Sequence, residues 1–202
     1  VRNDVGRWFV QAFDVALEAW CGLEPSLCVF RPECGDALAL EHNGDLYCCD
    51  HFVEPEHRLG NITELPLPVL AGSAQQDRFG AAKRTTLPTY CLECDVRFAC
   101  NGGCPKNRLA TTPDGETGLN HLCEGYKRFF THVDPYMRFM AGEVRARRPP
   151  ANVMKWARRR DEGPDAESGG PPGPERGGSG PTSRPPATPP PVAPPTPRPR
   201  SR

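Results

Sequence analysis

The chain has 202 residues, with 25 acidic and 25 basic side chains, 25 prolines and ten cysteines. The neutral total hides a split: residues from 149 onward carry nine Lys/Arg against five Asp/Glu, a balance of +4, which leaves −4 on the residues before them. Neither part carries the basic stripe of a nucleic-acid binder, and no run approaches the ~20 apolar residues that span a bilayer, so neither nucleic acid nor membrane is expected as a partner.

The stretch from Pro149 to the end holds 16 Pro and 7 Gly in 54 residues. So few apolar side chains cannot offset the entropy of ordering it, and it reads as a disordered tail. The folded part is then about Val1–Met140. The first residues, Val-Arg-Asn-Asp-Val, have no initiator Met and no charged-then-apolar leader. They read as the continuation of something longer, and the lack of a secretion signal places the chain in the cytoplasm.

In chain order, Asp4–Trp20 carries Val5, Trp8, Phe9, Phe13, Ala16, Leu17 and Trp20 at helical spacing, with Asn3 or Asp4 as cap. Cys28 to Gly35 is loop-like. From Ala37 to Asp50 two extended runs flank Asn43-Gly44, a strong hairpin signal, which carries Cys49 back towards Cys34. Leu59 to Pro66 reads as a turn leading into a short helix, and Ser73–Lys83 as a helix interrupted at Gly80. A helical pattern from Gly125 through Phe130 ends at Val133. Asp134-Pro135 starts another, with Asp as cap and Pro in the first turn. The fold gives out near Arg145, and Ala151–Arg160 adds at most a helical turn.

All ten cysteines lie between Cys21 and Cys123. Without a secretion signal this density favours metal over disulfides, and the Asn61-Ile62-Thr63 sequon has no glycosylation to serve. Tetrahedral zinc and a cubane iron–sulfur cluster each take about four thiolates. Cys91, Cys94, Cys100 and Cys104 could close one site by themselves, but Cys28, Cys34 and Cys49 would then lack a fourth ligand and Cys123 would stand alone. An interleaved arrangement answers both points: Cys28, Cys34, Cys49 and Cys104 in one site, and Cys91, Cys94, Cys100 and Cys123 in the other. Cys104-Pro105 fits a habit of two-cluster ferredoxins, where the Cys before Pro closes the other cluster. Asn101-Gly102-Gly103 would let backbone approach the sulfurs. Cys21 and Cys48 read as small buried residues or free thiols. Asp50 by itself reads as a hairpin-end carboxylate, and His51 as its structural neighbour.

Several segments in the same order resemble the C-terminal part of anaerobic sulfatase-maturating enzymes, radical S-adenosylmethionine proteins with a SPASM domain. They are Cys49-Asp-His-Phe-Val, Leu59-Gly-Asn-Ile, Phe79-Gly-Ala-Ala-Lys, Leu87-Pro-Thr-Tyr-Cys91, Cys100-Asn-Gly-Gly-Cys104-Pro-Lys and Gly118-Leu-Asn-His-Leu-Cys123-Glu-Gly-Tyr. The resemblance implies an α+β fold, a small irregular metal-organised domain with a β-hairpin and helices around two auxiliary [4Fe–4S] clusters, their ligands interleaved as above. It implies a helix over residues 1–26 linking to a radical S-adenosylmethionine barrel, a SPASM domain over 27–140, and a partly helical, then disordered Pro/Gly/Arg-rich tail over 141–202. In the complete enzyme, S-adenosylmethionine and a third [4Fe–4S] cluster generate a 5′-deoxyadenosyl radical, which oxidises a sulfatase Cys or Ser to formylglycine. Asp50 matches the proton acceptor of that reaction. The sulfatase polypeptide is the implied partner, with a ferredoxin or flavodoxin to exchange electrons.

Three features depart from the family. The Cys-x3-Cys-x2-Cys motif of the radical-generating cluster is missing: Cys100-x3-Cys104 is the nearest spacing, and Asn107 stands where the third Cys would be. The chain is therefore expected to be a fragment that is inactive alone. Cys48 and His121 occupy positions where the family commonly has a non-ligand residue and a Tyr. A stand-alone iron–sulfur electron carrier and a zinc-binding structural or interaction module are the competing readings.

Overall fold

The computed structural model describes residues 3–35 and 37–162. Its elements in chain order are α1 (Gln11–Trp20), β1 (Ala39–Leu40), β2 (Asp45–Tyr47), β3 (Arg58–Asn61), α2 (Leu67–Ala71), α3 (Ala74–Thr85), α4 (Thr89–Leu92), α5 (Arg97–Cys100), β4 (Ala110–Thr111), β5 (Thr117–Leu119), α6 (Cys123–Arg145) and α7 (Val153–Glu162). Short 3-10 turns at Cys28–Phe30, Pro55–His57, Pro105–Asn107 and Pro150–Asn152 punctuate them. Residues up to Arg158 form one compact unit, and of the second, from Arg159 on, only the last residues of α7 are described. The stretch read as a disordered tail from Pro149 is instead folded up to residue 162, in the Pro150–Asn152 turn and α7; its remainder, from 163 onward, lies outside the described residues.

The first helix begins later than the expected Asp4. Asp4 closes a separate turn, its carbonyl accepting from the amides of Arg7 and Trp8 at 2.9 and 3.1 Å, and Val10 is extended. Trp8 and Phe9 consequently stand 75% and 79% exposed. The buried face is Val15, Ala16, Ala19 and Trp20, which packs on α6 beside Phe130, Val133, Met137 and Ala141. The C-terminal end of α1 is closed by Arg145, whose Nη2 donates to the Trp20 carbonyl at 2.8 Å.

The helix expected to stop at Val133 and restart at Asp134 runs unbroken from Cys123 to Arg145, with Pro135 inside it. An interior proline costs about 3 kcal/mol. Phe130, Val133 and Met137 are at most 5% exposed, and each such side chain contributes about 1.5–3 kcal/mol on burial. The continuous apolar stripe therefore outweighs the proline. Asp134 accordingly caps nothing: its Oδ1 accepts from Trp20 Nε1 at 2.9 Å and from Arg138 Nε at 2.8 Å.

Asn43-Gly44 closes the β1–β2 hairpin, with register Ala39↔Tyr47 and Leu40↔Leu46. The loop has three residues, His42 to Gly44, and ends on a left-handed Gly44 (φ 89°), whose amide donates to the Glu41 carbonyl at 2.9 Å. Three strands, β3, β4 and β5, are not among the elements expected from the sequence. Arg58–Asn61, read as part of a turn, is β3 and pairs antiparallel with β2 across a bulge. It has little apolar alternation, and polar pairs hold it instead: Arg58 Nη2 reaches Asp45 Oδ1 at 2.6 Å, and Asn61 Nδ2 donates to that oxygen at 3.0 Å. The sequon asparagine is thus part of the sheet's polar edge. The second hairpin, β4–β5, turns at Thr112 to Gly115, over Pro113-Asp114-Gly115.

Ser73 caps α3, its Oγ accepting from the Gln76 amide at 3.3 Å, and the helix continues through Gly80. The expectation that the fold gives out near Arg145 is also corrected. In α7, Val153 and Ala157 are fully buried, and Trp156 stacks on Phe139 with ring centroids 5.1 Å apart.

Candidate metal centre

All ten cysteines are free thiols. Cys28 opens the 3-10 turn after α1, and Cys34 sits in the loop before β1. Cys49 follows β2, and Cys104 precedes the Pro105–Asn107 turn. The fold brings these four together: Cys34 feels the charges of Cys28 and Cys104, and Cys49 feels that of Cys34. Cys91 lies in α4, Cys94 just beyond it, Cys100 at the end of α5 and Cys123 at the start of α6. They too are mutual electrostatic neighbours, and all four line one cavity together with Tyr90 and Leu119. Among the described residues no three His, Cys, Asp or Glu side chains stand close enough to hold a single metal ion.

Each first-quartet thiol is placed by polar groups that carry no recognisable motif. Lys83, 1% exposed, donates from Nζ to the carbonyls of Cys28 and Val29 at 2.6 and 3.1 Å. Burial pushes its pKa down. Cys34 is held against α3, its amide donating to the Gly80 carbonyl at 3.2 Å. A Cβ at Gly80 would lie 2.5 Å from the Cys34 carbonyl oxygen, so this helix position needs glycine for close approach. Gln76, also in α3 and buried, spans the Cys34 and Cys49 loops. Its Nε2 donates to the carbonyls of Gly35 and Cys48 at 3.0 and 3.1 Å.

The connector between the quartets is Asn101-Gly102-Gly103, three successive left-handed residues (φ 47°, 72° and 62°). Its glycines do more than admit backbone to sulfur. The Gly102 amide does point at the Cys100 thiol, but a Cβ at Gly102 would meet Leu87 at 2.3 Å and one at Gly103 would meet Asn120 at 2.4 Å. Asn120, 3% exposed, donates from Nδ2 to the carbonyls of Gly102 and Cys104 at 3.2 and 3.3 Å. Asn101 Nδ2 donates to the Phe30 carbonyl at 2.8 Å, tying the connector to the Cys28 turn.

Burial pushes the Cys49 thiol up to about 12 and the Cys100 thiol up to about 11, and raises Cys34, Cys91 and Cys123 as well. Such thiols hold their protons at neutral pH until a cation displaces them. Soft, free thiols in two groups of four, most of them at least partly buried, are the donor chemistry an iron–sulfur cluster takes. Cys48 points into the core at 1% exposure, and burial alone raises its thiol, with no quartet thiol among the causes. Cys21 packs on the hydrophobic core.

Asp50 is exposed beside the first quartet. Cys49 Sγ donates to its Oδ1 at 3.2 Å, and that bond is the main reason its carboxyl lies below the ordinary range. A Cys49 thiolate has no proton to give, so with Cys49 ionised that oxygen is left to accept from another group. His51 Nδ1 lies 3.3 Å from Cys104 Sγ, which makes His51 a neighbour of a candidate ligand rather than of Asp50 alone. His121, where a Tyr was expected, places Nδ1 3.1 Å from the Asn107 carbonyl.

Residues 28–95 match the SPASM family, described as an iron–sulfur cluster-binding domain. The chain is 52% identical over 155 residues to the serine-type anaerobic sulfatase-maturating enzyme of Bacteroides thetaiotaomicron, covering 77% of this chain and 37% of that protein. It is 27% identical over 139 residues to the cysteine-type anaerobic sulfatase-maturating enzyme of Clostridium perfringens strain 13, covering 69% of this chain and 37% of that one. Among solved structures, native anSMEcpe with bound AdoMet and Cp18Cys peptide superposes with a TM-score of 0.59 at 27% identity, over 70% of this chain and 38% of that one. The chain thus spans less than two fifths of the length of the relatives it matches. Residues 28–95 thus match an iron–sulfur cluster-binding domain, and the chain is similar to one part of the anaerobic sulfatase-maturating enzymes.

Proposed function

We propose that this chain supplies the auxiliary-cluster portion of a radical S-adenosylmethionine enzyme that matures sulfatases by oxidising an active-site Cys or Ser to formylglycine. The observation that supports the reading is that the eight thiols of the proposed ligand set are free and lie as electrostatic neighbours in two groups, in a chain whose residues 28–95 match the SPASM family. Cys28, Cys34, Cys49 and Cys104 would hold one [4Fe–4S] cluster, and Cys91, Cys94, Cys100 and Cys123 the other. When bound, such clusters supply a place for an electron to enter or leave beside the substrate. S-adenosylmethionine and a third cluster belong to the complete enzyme, which acts on a sulfatase polypeptide in the cytoplasm and exchanges electrons with a ferredoxin or flavodoxin.

In this reading Asp50 is the proton acceptor. It stands at the surface next to Cys49, and the residues about it are held by the sheet and α3. Its Oδ1, released once Cys49 is a thiolate, accepts the proton that leaves the sulfur or oxygen of the substrate residue. In the complete enzyme Asp50→Asn is expected to abolish formylglycine formation while S-adenosylmethionine cleavage continues. Product formed at the normal rate would remove Asp50 from the role.

Anaerobic iron loading of the chain tests the wider proposal. About eight irons per chain and a brown colour support two cubane clusters. A colourless protein with about two zincs would replace them with a zinc module.

A further inference from the structure

Eight thiols and one carboxylate leave a half-buried cation among the thiols without a role. Arg108 follows the Pro105–Asn107 turn, and its guanidinium folds back under the connector. Nε donates to the Gly102 carbonyl at 3.4 Å, Nη2 to the Asn101 carbonyl at 3.3 Å and Nη1 to Thr86 Oγ1 at 3.3 Å. Thr86 Oγ1 donates its own proton to the Ala82 carbonyl at 2.7 Å, so it offers Arg108 a lone pair. Every hydrogen-bond partner of Arg108 among the described residues is therefore neutral.

The two carbonyls it holds belong to the link between Cys100 of the second quartet and Cys104 of the first. The thiols within its electrostatic reach come from both, Cys91 and Cys100 on one side and Cys34 and Cys104 on the other, and each becomes an anionic thiolate when it ligates a metal. A guanidinium stays protonated whatever its surroundings, and a partly desolvated cation without a carboxylate is costly unless other negative charge compensates it. Lys83 gives the contrast. It is the more buried of the two, but the thiols it reaches, Cys34, Cys28 and Cys104, are all of the first quartet.

We propose that Arg108 is the shared counter-cation of both cluster sites, a positioning residue that raises the reduction potentials of the two clusters together. The inference rests on the two-cluster reading above. A fixed positive charge favours the more negative, reduced state of a neighbouring cluster. One charge placed between two clusters therefore moves both.

The test uses the full chain loaded anaerobically with iron and sulfide, with iron counted before anything else. Fewer than about eight irons per chain overturns the two-cluster reading and this inference with it. With about eight present, redox titrations followed by electron paramagnetic resonance compare wild type with Arg108→Met, Arg108→Lys and Arg84→Gln. Arg84 is an exposed cation that pairs with Glu33. The expected result is a shift of both potentials to more negative values in Arg108→Met, near-normal values for both in Arg108→Lys and none but wild-type values in Arg84→Gln. A shift in one cluster alone, or in neither, overturns the proposal and leaves the two-cluster reading intact. If Arg108→Met takes up no iron, Arg108→Lys decides. Normal loading and potentials support the role of charge, whereas failure of the Lys variant assigns Arg108 to holding the turn by its fork and overturns the proposal.

Discussion

Gly80 and Gly142 both sit inside helices, yet their surroundings set them opposite tasks. A methyl at Gly142 meets nothing within 4 Å, while one at Gly80 lies 2.5 Å from the Cys34 carbonyl oxygen. Replacing a mid-helix Gly by Ala gains up to about 1 kcal/mol of helix propensity, and overpacking against backbone costs about 1–3 kcal/mol. Gly142→Ala is therefore expected to raise the melting temperature. Gly80→Ala should lower it and displace Cys34, which would appear as loss of first-quartet iron with the second quartet still filled. At this scale the sequence was unevenly legible. The eight quartet cysteines and Asp50 stand in dense, ordered motifs. Gln76, Lys83, Arg108 and Asn120 are single polar residues whose task is to hold backbone carbonyls from distant segments, and no local pattern marks such a task.

The elements show which local signals tertiary packing overrides. Asn43-Gly44 marked its hairpin because a left-handed glycine is a backbone requirement of the turn itself. Asp134-Pro135 read as a new helix start because those residues favour one, but the apolar stripe on either side binds a single helix to α1. The β3 strand was illegible because its register rests on Asp45, Arg58 and Asn61 rather than on alternating apolar residues. The corner between α6 and α7 is likewise polar: buried Glu143 pairs with Arg148 at 2.6 Å and accepts from Asn152. Arg148, followed by Asn152, holds the Glu143 carboxyl below the ordinary carboxylate range. A carboxyl with a depressed folded-state pKa stabilises above its unfolded value and loses that contribution as pH falls through the folded one. Acid titration of Trp156 fluorescence is thus expected to show α7 loosening as pH drops below the usual range of a glutamate, about 4.3. In Glu143→Gln that pH dependence should disappear.

At the scale of the whole molecule, the proposed ligand set was grouped from the arithmetic of four-thiol sites, and in that grouping the two sites share parts. In the proposed grouping Cys104 joins the first quartet by its sulfur, while its backbone is held by residues beside the second. Its carbonyl is held by Asn120, three residues before Cys123, and the connector that presents it starts at Cys100. The second quartet closes over residues 91–123, whereas the first must draw in Cys28 from 76 positions away, and longer loops cost more entropy to close. On the proposed grouping, loop closure gives maturation an expected direction: iron would fill the second site first, and Cys104 would then be presented to the hairpin and the Cys28 turn. Stepwise iron loading followed by electron paramagnetic resonance should show two signals in that order. Cys28→Ala is expected to leave the first-formed signal intact, while Cys123→Ala weakens both.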